Sequence, residues 1–270
     1  MVIRMSKIGF IGAGNMATAI VNGMISNNVA QPADIYVFDL DSEKLKVMSN
    51  KGVNACSTAN EVVENSHFVV LAVKPQNYAE VLEGIKSSVT DNTVMVSIAA
   101  GISIGYVVST LGKNCPCVRV MPNTPLLLGC GATAICPSEN ISNEDFEVVK
   151  SMFSTAGVCQ VLPESQMNTI IAVNGSSPAY VYLFAKAMRD YAQEQGIDTN
   201  VAMELICATL KGSAEMLMKS GDTADELIKK VSSPGGTTIA ALNVLDNGSF
   251  YQNIKDAMDA CTKRAEELGK

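Results

Sequence analysis

The sequence predicts an α/β fold in which a doubly wound parallel sheet, residues 1–162, precedes an all-α domain, residues 163–270. Three observations carry this prediction. Short apolar runs alternate with helical segments between residues 7 and 161, and a glycine-rich turn follows the first of these runs. From about Pro163 onward the strand-like runs stop and only helical patterns follow.

The composition is that of a folded protein with an acidic balance. Of the 270 residues, 47% are hydrophobic and 17% charged, with a formal net charge of −7. Nucleic-acid binding is therefore not expected, because phosphate backbones need clustered Lys and Arg. The eight cysteines form no CxxC pair and the sole histidine is His67, so we expect no metal site and free thiols. No apolar stretch reaches the roughly 18 residues of a membrane helix, and we expect a cytoplasmic protein.

Six runs are predicted as strands of the sheet. They are continuously apolar, which is typical of parallel strands buried on both faces. The runs are KIGFI (7–11), IYVFD (35–39), HFVVLAV (67–73), TVMVSIA (93–99), CVRVM (117–121) and ATAIC (132–136). Helical spacing at 42–51 and 77–87 supplies the crossovers of a doubly wound sheet.

The turn after the first strand has the G-x-G-x-x-A spacing of a dinucleotide-binding loop. Gly12 permits the tight turn, Gly14 lets a pyrophosphate approach the backbone, and Ala17 packs helix against strand. The following helix would direct its amino-terminal N–H groups at the phosphates. We therefore predict a Rossmann-type dinucleotide site.

Asp39 ends the second strand, where a carboxylate can accept hydrogen bonds from both ribose hydroxyls and repel a 2′-phosphate. This position favours NAD over NADP. Lys44 and Lys46 lie close enough in sequence to reach a 2′-phosphate, so NADP stays open.

Later strand ends also carry small or polar residues at the edge where open α/β sheets bind cofactors. LAVKPQ (71–76) and SIAAG (97–101) leave room for a ribose or nicotinamide. MPNTP (121–125) places Asn123 between prolines, where its amide could meet a carboxamide.

The second half is predicted to be helical. Ser176, Ser177 and Pro178 start one helix with a hydroxyl cap, and that helix ends at Gly196. The next, from Asn200 to about Ser220, is apolar around most of its circumference, which favours packing against another subunit over a central position within one monomer.

The stretch VSSPGGTT (231–238) precedes a further helix. Glycines before a helix start expose successive N–H groups, and two threonines offer caps and hydroxyls. An ordinary capped helix start would look similar, but a dinucleotide enzyme needs a substrate site and a carboxylate suits this loop.

These residues resemble pyrroline-5-carboxylate reductases. IGFIGAGNMA, LAVKP, SIAAG, MPNTP, GSSPAY and VSSPGGTTIAAL follow the family's order and spacing from residue 8 to the end of the chain. The resemblance implies reduction of 1-pyrroline-5-carboxylate to L-proline by NAD(P)H, and a helical carboxyl-terminal domain that forms homodimers, which in the family often assemble into decamers.

The resemblance also implies site residues. Those near the cofactor would be Gly12, Ala13, Gly14, Asn15, Met16, Asp39, Asn60, Ala72, Val73, Lys74, Pro75, Ala99, Ala100 and Gly101. Those around the substrate would be Glu164, Ser233, Gly235, Gly236, Thr237 and Thr238. Thr238 would be the catalytic residue, with its hydroxyl on the ring nitrogen and neighbouring N–H groups on the carboxylate.

This chain departs from the family at Asp39, Ser177 and Lys230, and the first departure weakens an expectation of NADPH. The absence of a candidate catalytic histidine suits the chemistry, since a protonated imine needs no strong general acid. Alternatives are a β-hydroxyacid dehydrogenase, another imine reductase of this layout, and a non-enzymatic NAD(P)-binding redox sensor. Lys186 lies too deep in its helix to be the dehydrogenase lysine.

Overall fold

The computed structural model describes residues 6–269. Its centre is one eight-stranded sheet in the order β3-β2-β1-β4-β5-β6-β7-β8. The strands are β1 (Ile8–Ile11), β2 (Ile35–Phe38), β3 (Asn54–Ala55), β4 (Phe68–Leu71), β5 (Val94–Ser97), β6 (Cys117–Met121), β7 (Gly131–Pro137) and β8 (Gly157–Val161). The strand order reverses direction at β1, between β2 and β4, as in a doubly wound fold.

Helices cover both faces of this sheet and bury its apolar side chains in two clusters. The helices α1 (Asn15–Ser26), α2 (Ser42–Ser49) and α6 (Asn143–Ser154) contribute to the cluster around Phe10. The helices α3 (Ala59–Glu64), α4 (Tyr78–Ile85) and α5 (Ile104–Leu111) contribute to the cluster around Leu71. Burial on both faces explains why the strand sequences are continuously apolar.

The sheet differs from the sequence prediction at one edge. The run at 132–136 is a strand, but β7 lies antiparallel to β6. The two-residue β3 and the half-exposed edge strand β8 were not predicted. Neither forms a continuous apolar run. The strand β3 has only two residues, and β8 lies at the sheet edge and buries no residue fully.

The chain divides into two compact units. One comprises the described residues up to Ser176 together with those from Asp259 onward, and the other is Ser177–Met258. The boundary predicted after residue 162 stays a prediction; the segment between 163 and 176 contacts the sheet through Met167 and Ile170, packed near Ala134.

The second unit is helical. Its helices are α7 (Ser177–Glu194), α8 (Thr199–Lys219), α9 (Ala224–Lys230), α10 (Thr237–Asn247) and the first part of α11 (Phe250–Leu268). A π-helix, Ile171–Gly175, and Ser176 directly precede α7, and the hydroxyl cap at its start stays a prediction. No strand occurs in the described residues after β8, as the sequence predicts.

The second unit exposes an unusual amount of apolar surface. In α8 only Ala202 and Ile206 are buried, whereas Leu205 is 63% and Met218 73% exposed. A central position of α8 within one monomer is therefore wrong, and the exposed face is of the kind that a second subunit covers. None of the helices in residues 6–269 is long and apolar enough to cross a membrane.

Candidate active site

The residues predicted to hold a cofactor lie along one edge of the sheet. Gly12 follows β1, Asp39 follows β2, Ala72 follows β4 and Ala99 lies just beyond β5. These strands are parallel neighbours, so their carboxyl ends meet at the same edge. The strand order reverses at β1, and open α/β sheets bind their ligands at such a switch point.

Gly12 can only be glycine in this turn. Its φ is +105°, and a Cβ atom built on it would lie 2.6 Å from the carbonyl oxygen of Ala72. Its N–H donates to the carbonyl of Phe38 at 2.7 Å. The turn is thus clamped between β2 and β4, which fixes the loop that follows.

Gly14, unlike Gly12, has open space where a side chain would be. It is the N-cap of α1, no side chain caps this helix, and no atom lies within 4 Å of where its Cβ would be. The partial positive charge of the helix terminus therefore faces open space. A pyrophosphate fits this arrangement, because it can approach the backbone closely and accept from the terminal N–H groups.

Asp39 is held beside the glycine loop. Its carboxylate accepts from the N–H of Ala13 at 2.7 Å and from the N–H of Asp41 at 2.9 Å, and its side chain is 15% exposed. Lys44 Nζ lies 4.0 Å from Asp39 and 3.4 Å from Asp41. The lysine that could favour a 2′-phosphate is thus already paired with two carboxylates.

Beneath the carboxyl ends of β4 and β5 lies a buried hydroxyl pair. Tyr78 donates to the carbonyl of Leu71 at 2.8 Å, and Ser97 donates to the Tyr78 hydroxyl at 3.1 Å. Burial raises the pKa of Tyr78. The phenol therefore stays protonated and supports the strand ends that carry Ala72 and Ala99.

Two predicted residues have side chains that bridge secondary-structure elements. Asn60 donates to the carbonyl of Gly84 and accepts from Ser88. Asn123, expected to reach a carboxamide, instead accepts from the N–H of Ala132 and donates to the carbonyl of Asn174. Asn123 thus ties the turn after β6 to the π-helix.

Asn174 is a residue that sequence reasoning missed. Its amide nitrogen donates to the carbonyls of Met121 and Ala132, each at 2.8 Å. Its Oδ1 is buried without a hydrogen-bond partner among the described residues. The one available signal was its position directly before GSSPAY, where a polar residue interrupts an apolar segment.

Glu164 belongs to the first unit and is engaged there. Its carboxylate accepts from the N–H of Ile104 at 2.7 Å, at the start of α5, and lies 3.7 Å from the guanidinium of Arg119. Arg119 is only 4% exposed, and its guanidinium also donates to Asn168. Burial lowers the pKa of Arg119, although Glu164 opposes this effect by favouring the charged form.

The SPGGTT segment forms an uncapped helix start in the second unit. Gly235 has φ +73°, and Gly236 is the N-cap of α10 with no side-chain cap. Neither Thr237 nor Thr238 caps the helix, contrary to one reading of the sequence; both lie within its first turn. The terminal N–H groups and two hydroxyls are therefore presented together.

The other candidate acid–base groups have structural partners. His67 directly precedes β4, at the amino edge of the sheet, and its Nε2 lies 2.9 Å from Asp145. Lys186 pairs with Asp190 on α7. All eight cysteines are free, and no group of His, Cys, Asp and Glu in residues 6–269 could hold a metal ion.

Comparison with known proteins identifies the family. Residues 164–268 match the model described as pyrroline-5-carboxylate reductase dimerisation, and residues 7–101 match that described as NADP oxidoreductase coenzyme F420-dependent. The pyrroline-5-carboxylate reductase of Escherichia coli (strain K12) is 36% identical over 265 residues, covering 98% of each chain. This chain belongs to the pyrroline-5-carboxylate reductase family.

Further relatives agree. Pyrroline-5-carboxylate reductase 2 of Bacillus subtilis (strain 168) is 33% identical, covering 98% of this chain and 95% of that protein. The crystal structure of Plasmodium falciparum pyrroline carboxylate reductase with NADP bound superposes with a TM-score of 0.92 at 30% identity, covering 98% of each chain. The structure of a pyrroline-5-carboxylate reductase from Coxiella burnetii superposes with a TM-score of 0.87 at 34% identity, covering 99% of this chain and 100% of that one.

Family membership confirms the resemblance, the fold class and the assignment as an oxidoreductase. It favours the pyrroline-5-carboxylate reductase reading over the three alternatives named above. The family and the glycine loop agree on a nicotinamide dinucleotide as cofactor. The match over residues 164–268 gives the helical half the role of a dimerisation domain, which agrees with the exposed apolar face of α8.

Proposed function

We propose that this protein reduces 1-pyrroline-5-carboxylate to L-proline with a hydride from NADH, the last step of proline biosynthesis. The observation that carries the proposal is that two helices in this member of the pyrroline-5-carboxylate reductase family begin at a glycine and have no side-chain cap. These glycines are Gly14 at α1 and Gly236 at α10. One suits the pyrophosphate of a dinucleotide and the other the carboxylate of the substrate.

The start of α10 is the proposed carboxylate cradle. Gly235 has no atom within 4 Å of a Cβ position, so an anion can reach the main chain on that side. Ser233, Gly235, Gly236 and Thr237 would surround the carboxylate, with N–H donors and the helix dipole stabilising its charge. No side chain caps the helix, so its first N–H groups are available to the substrate, except that of Gly236, which donates to the carbonyl of Ser233 at 3.0 Å.

Thr238 is the proposed catalytic residue. It lies in the first turn of α10, and its hydroxyl caps no backbone group. That hydroxyl would accept from the protonated ring nitrogen and hold the imine carbon in one orientation. Bound NADH supplies the hydride. A protonated imine is already electrophilic, so the protein has to orient the two reactants rather than donate a proton.

Among residues 6–269, the two candidates for a general acid, His67 and Lys186, are both engaged with carboxylates. His67 is paired with Asp145 at the opposite edge of the sheet, and Lys186 is paired with Asp190. The family resemblance also predicts Glu164 near the substrate, and in the structure its carboxylate accepts from the N–H of Ile104 at the start of α5. The rate enhancement on this account comes mainly from orientation, while an acceptor at the ring nitrogen favours the protonated, reactive form of the imine.

NADH is the proposed cofactor because of Asp39. Its carboxylate is fixed at the end of β2 by two backbone N–H groups, which is where a ribose hydroxyl pair would be read. A 2′-phosphate there would meet this negative charge, and the nearest lysine is already neutralised. Ala13, Asn15 and Met16 would complete the phosphate loop. Asn60, Ala72–Pro75 and Ala99–Gly101 would line the remaining cofactor site.

The active unit is proposed to be a homodimer formed through the helical half, with assembly into decamers a prediction from the family resemblance. A cytoplasmic location also stays a prediction. The apolar side chains exposed on α8 support the dimer, since water contact with so many of them is unfavourable.

Substrate analogues test the carboxylate cradle. Rates should be compared for 1-pyrroline-5-carboxylate and 1-pyrroline, which has the same imine without the carboxylate. Several charge-assisted hydrogen bonds of about 1.5–3 kcal/mol each would be lost, so kcat/KM for 1-pyrroline should be lower by about 100-fold or more. Equal efficiency with both imines would contradict the assignment of α10 as the carboxylate site.

A further inference from the structure

The carboxyl-terminal end of α11 lies directly against the turn after β5. A Cβ atom on Gly101 would lie 2.4 Å from the carbonyl oxygen of Ala265, 3.0 Å from Leu268 Cβ and 3.3 Å from the N of Gly269. A Cβ atom on Gly269 would in turn lie 2.3 Å from the carbonyl oxygen of Gly101. Two glycines thus face each other with their main chains in contact, in a place where Ala265 is 3% exposed.

The same end of α11 also touches the segment that leads into α7. The thiol of Cys261 lies 3.2 Å from the hydroxyl of Ser176. The neighbouring Gly175 lies against the flexible side chain of Met121 at the end of β6, whose Cε would be 2.4 Å from a Cβ atom there. Residues 261–269 therefore run between two loops at the carboxyl edge of the sheet, one after β5 and one after the π-helix.

We infer that residues 261–269 are a positioning element that sets the nicotinamide end of the cofactor site by holding the Ala99–Gly101 turn. This inference rests on the dinucleotide site proposed above. In that site Asp39 marks the adenosine side, at β2, and the strand order continues through β1 and β4 to β5. A dinucleotide that crosses the switch point at β1 would bring its nicotinamide to the β4 and β5 side.

The geometry makes the turn dependent on α11. Gly101 has φ +84°, a conformation that other residues adopt at a cost, and it is buried. Since Ala265 and Gly269 close the space behind it, the turn can move back only if the end of α11 moves. The helix end would therefore fix how deeply the ring enters, without touching the cofactor.

Two substitutions test this from opposite sides of the contact. Gly269→Ala places a methyl group against Gly101 from the α11 side, and Gly101→Ala does so from the turn itself. Relieving a 2.3 Å contact needs a shift of about 1 Å, and misplacement of that size costs on the order of 100-fold in rate. We expect both variants to lose about tenfold or more in affinity for NADH and to lower kcat.

The informative quantity is the ratio of the affinities for NADH and for ADP-ribose, which lacks the nicotinamide ring. Both are measured by calorimetry on the full-length protein, together with the melting temperature. The proposal predicts that ADP-ribose binding stays within about twofold of wild type. Gly105→Ala is the matched control, because its added Cβ meets only Ser103 Oγ at 3.9 Å and the ratio should not change.

An unchanged ratio in Gly269→Ala would overturn the proposal, whatever Gly101→Ala does. An equal loss of both ligands would overturn it too, since that result means a general loss of structure. Failure of the wild-type protein to bind either ligand would be a different result, because it would refute the proposed dinucleotide site itself.

Discussion

Removing the charge of Asp39 should change which cofactor the enzyme prefers. Asp39→Asn keeps the size of the side chain and one acceptor oxygen. The wild-type carboxylate accepts from the N–H groups of Ala13 and Asp41, so the variant loses one of these bonds, at a cost of about 1 kcal/mol in stability. The loop should therefore remain folded while its electrostatic potential changes.

The magnitude follows from the burial of the side chain. Two unit charges 4 Å apart repel by about 1 kcal/mol in water and by about 4 kcal/mol at an effective dielectric constant of 20. Asp39 is 15% exposed, which places it between these limits. Removing about 1.4–2.8 kcal/mol of this repulsion should raise kcat/KM for NADPH by about 10- to 100-fold. The kcat/KM for NADH should fall by a few-fold, because the acceptor for its ribose hydroxyls becomes weaker.

The assay is steady-state reduction of 1-pyrroline-5-carboxylate with each cofactor, expressed as the NADPH to NADH ratio of kcat/KM. Asp41→Asn is the matched control: it removes the same charge two residues away, and asparagine caps α2 as well as aspartate does. The control should change the ratio by less than about threefold, because Asp41 is exposed and Lys44 still has Asp39 beside it in that variant. The reasoning is refuted if wild type strongly prefers NADPH, or if Asp39→Asn leaves the ratio unchanged.

Four further predictions follow from the same structure. Gly14→Ala should leave the melting temperature unchanged and weaken NADH binding in a fluorescence titration, because its Cβ meets no protein atom but fills the space proposed for the pyrophosphate; equal affinity would contradict that position. Thr238→Ala should lower kcat/KM by about 1–3 kcal/mol of transition-state binding without a loss of stability, and an unchanged kcat/KM would remove its hydroxyl from the mechanism. Tyr78→Phe should lower the free energy of unfolding in urea by about 1–3 kcal/mol, since Ser97 and a main-chain carbonyl lose their partner; an unchanged midpoint would contradict it. Leu205→Glu, on the exposed face of α8, should shift the protein to monomers in sedimentation, and an unchanged dimer would place the interface elsewhere.

The sheet and the edge proposed for the cofactor were largely predictable because their signals are local. Apolar runs gave the parallel strands, and the residues that end them, such as Asp39 and Ala72, necessarily share one edge. The antiparallel direction of β7 was not predictable in this way. An apolar run does not indicate whether a strand is parallel or antiparallel to its neighbour. The turn that reverses the chain, Thr124–Leu128, is a 3-10 helix with no distinctive spacing.

Side-chain partners from distant parts of the chain were also beyond the sequence. The two flanking prolines suggest that the Asn123 amide faces a ligand. In the structure it is hydrogen-bonded to the main chain of Ala132 and Asn174 instead. The contact between Gly101 and Gly269 joins two glycines that each look like an ordinary loop or chain end. Such pairs depend on how the chain returns to the sheet, which periodicity and motif spacing do not encode.

The most direct test of the central claim is reduction of 1-pyrroline-5-carboxylate by the purified full-length protein. Initial rates should be measured with NADH and with NADPH at equal concentration, and the product analysed by chiral chromatography. We predict turnover to L-proline, faster with NADH. No turnover with either cofactor would contradict the account.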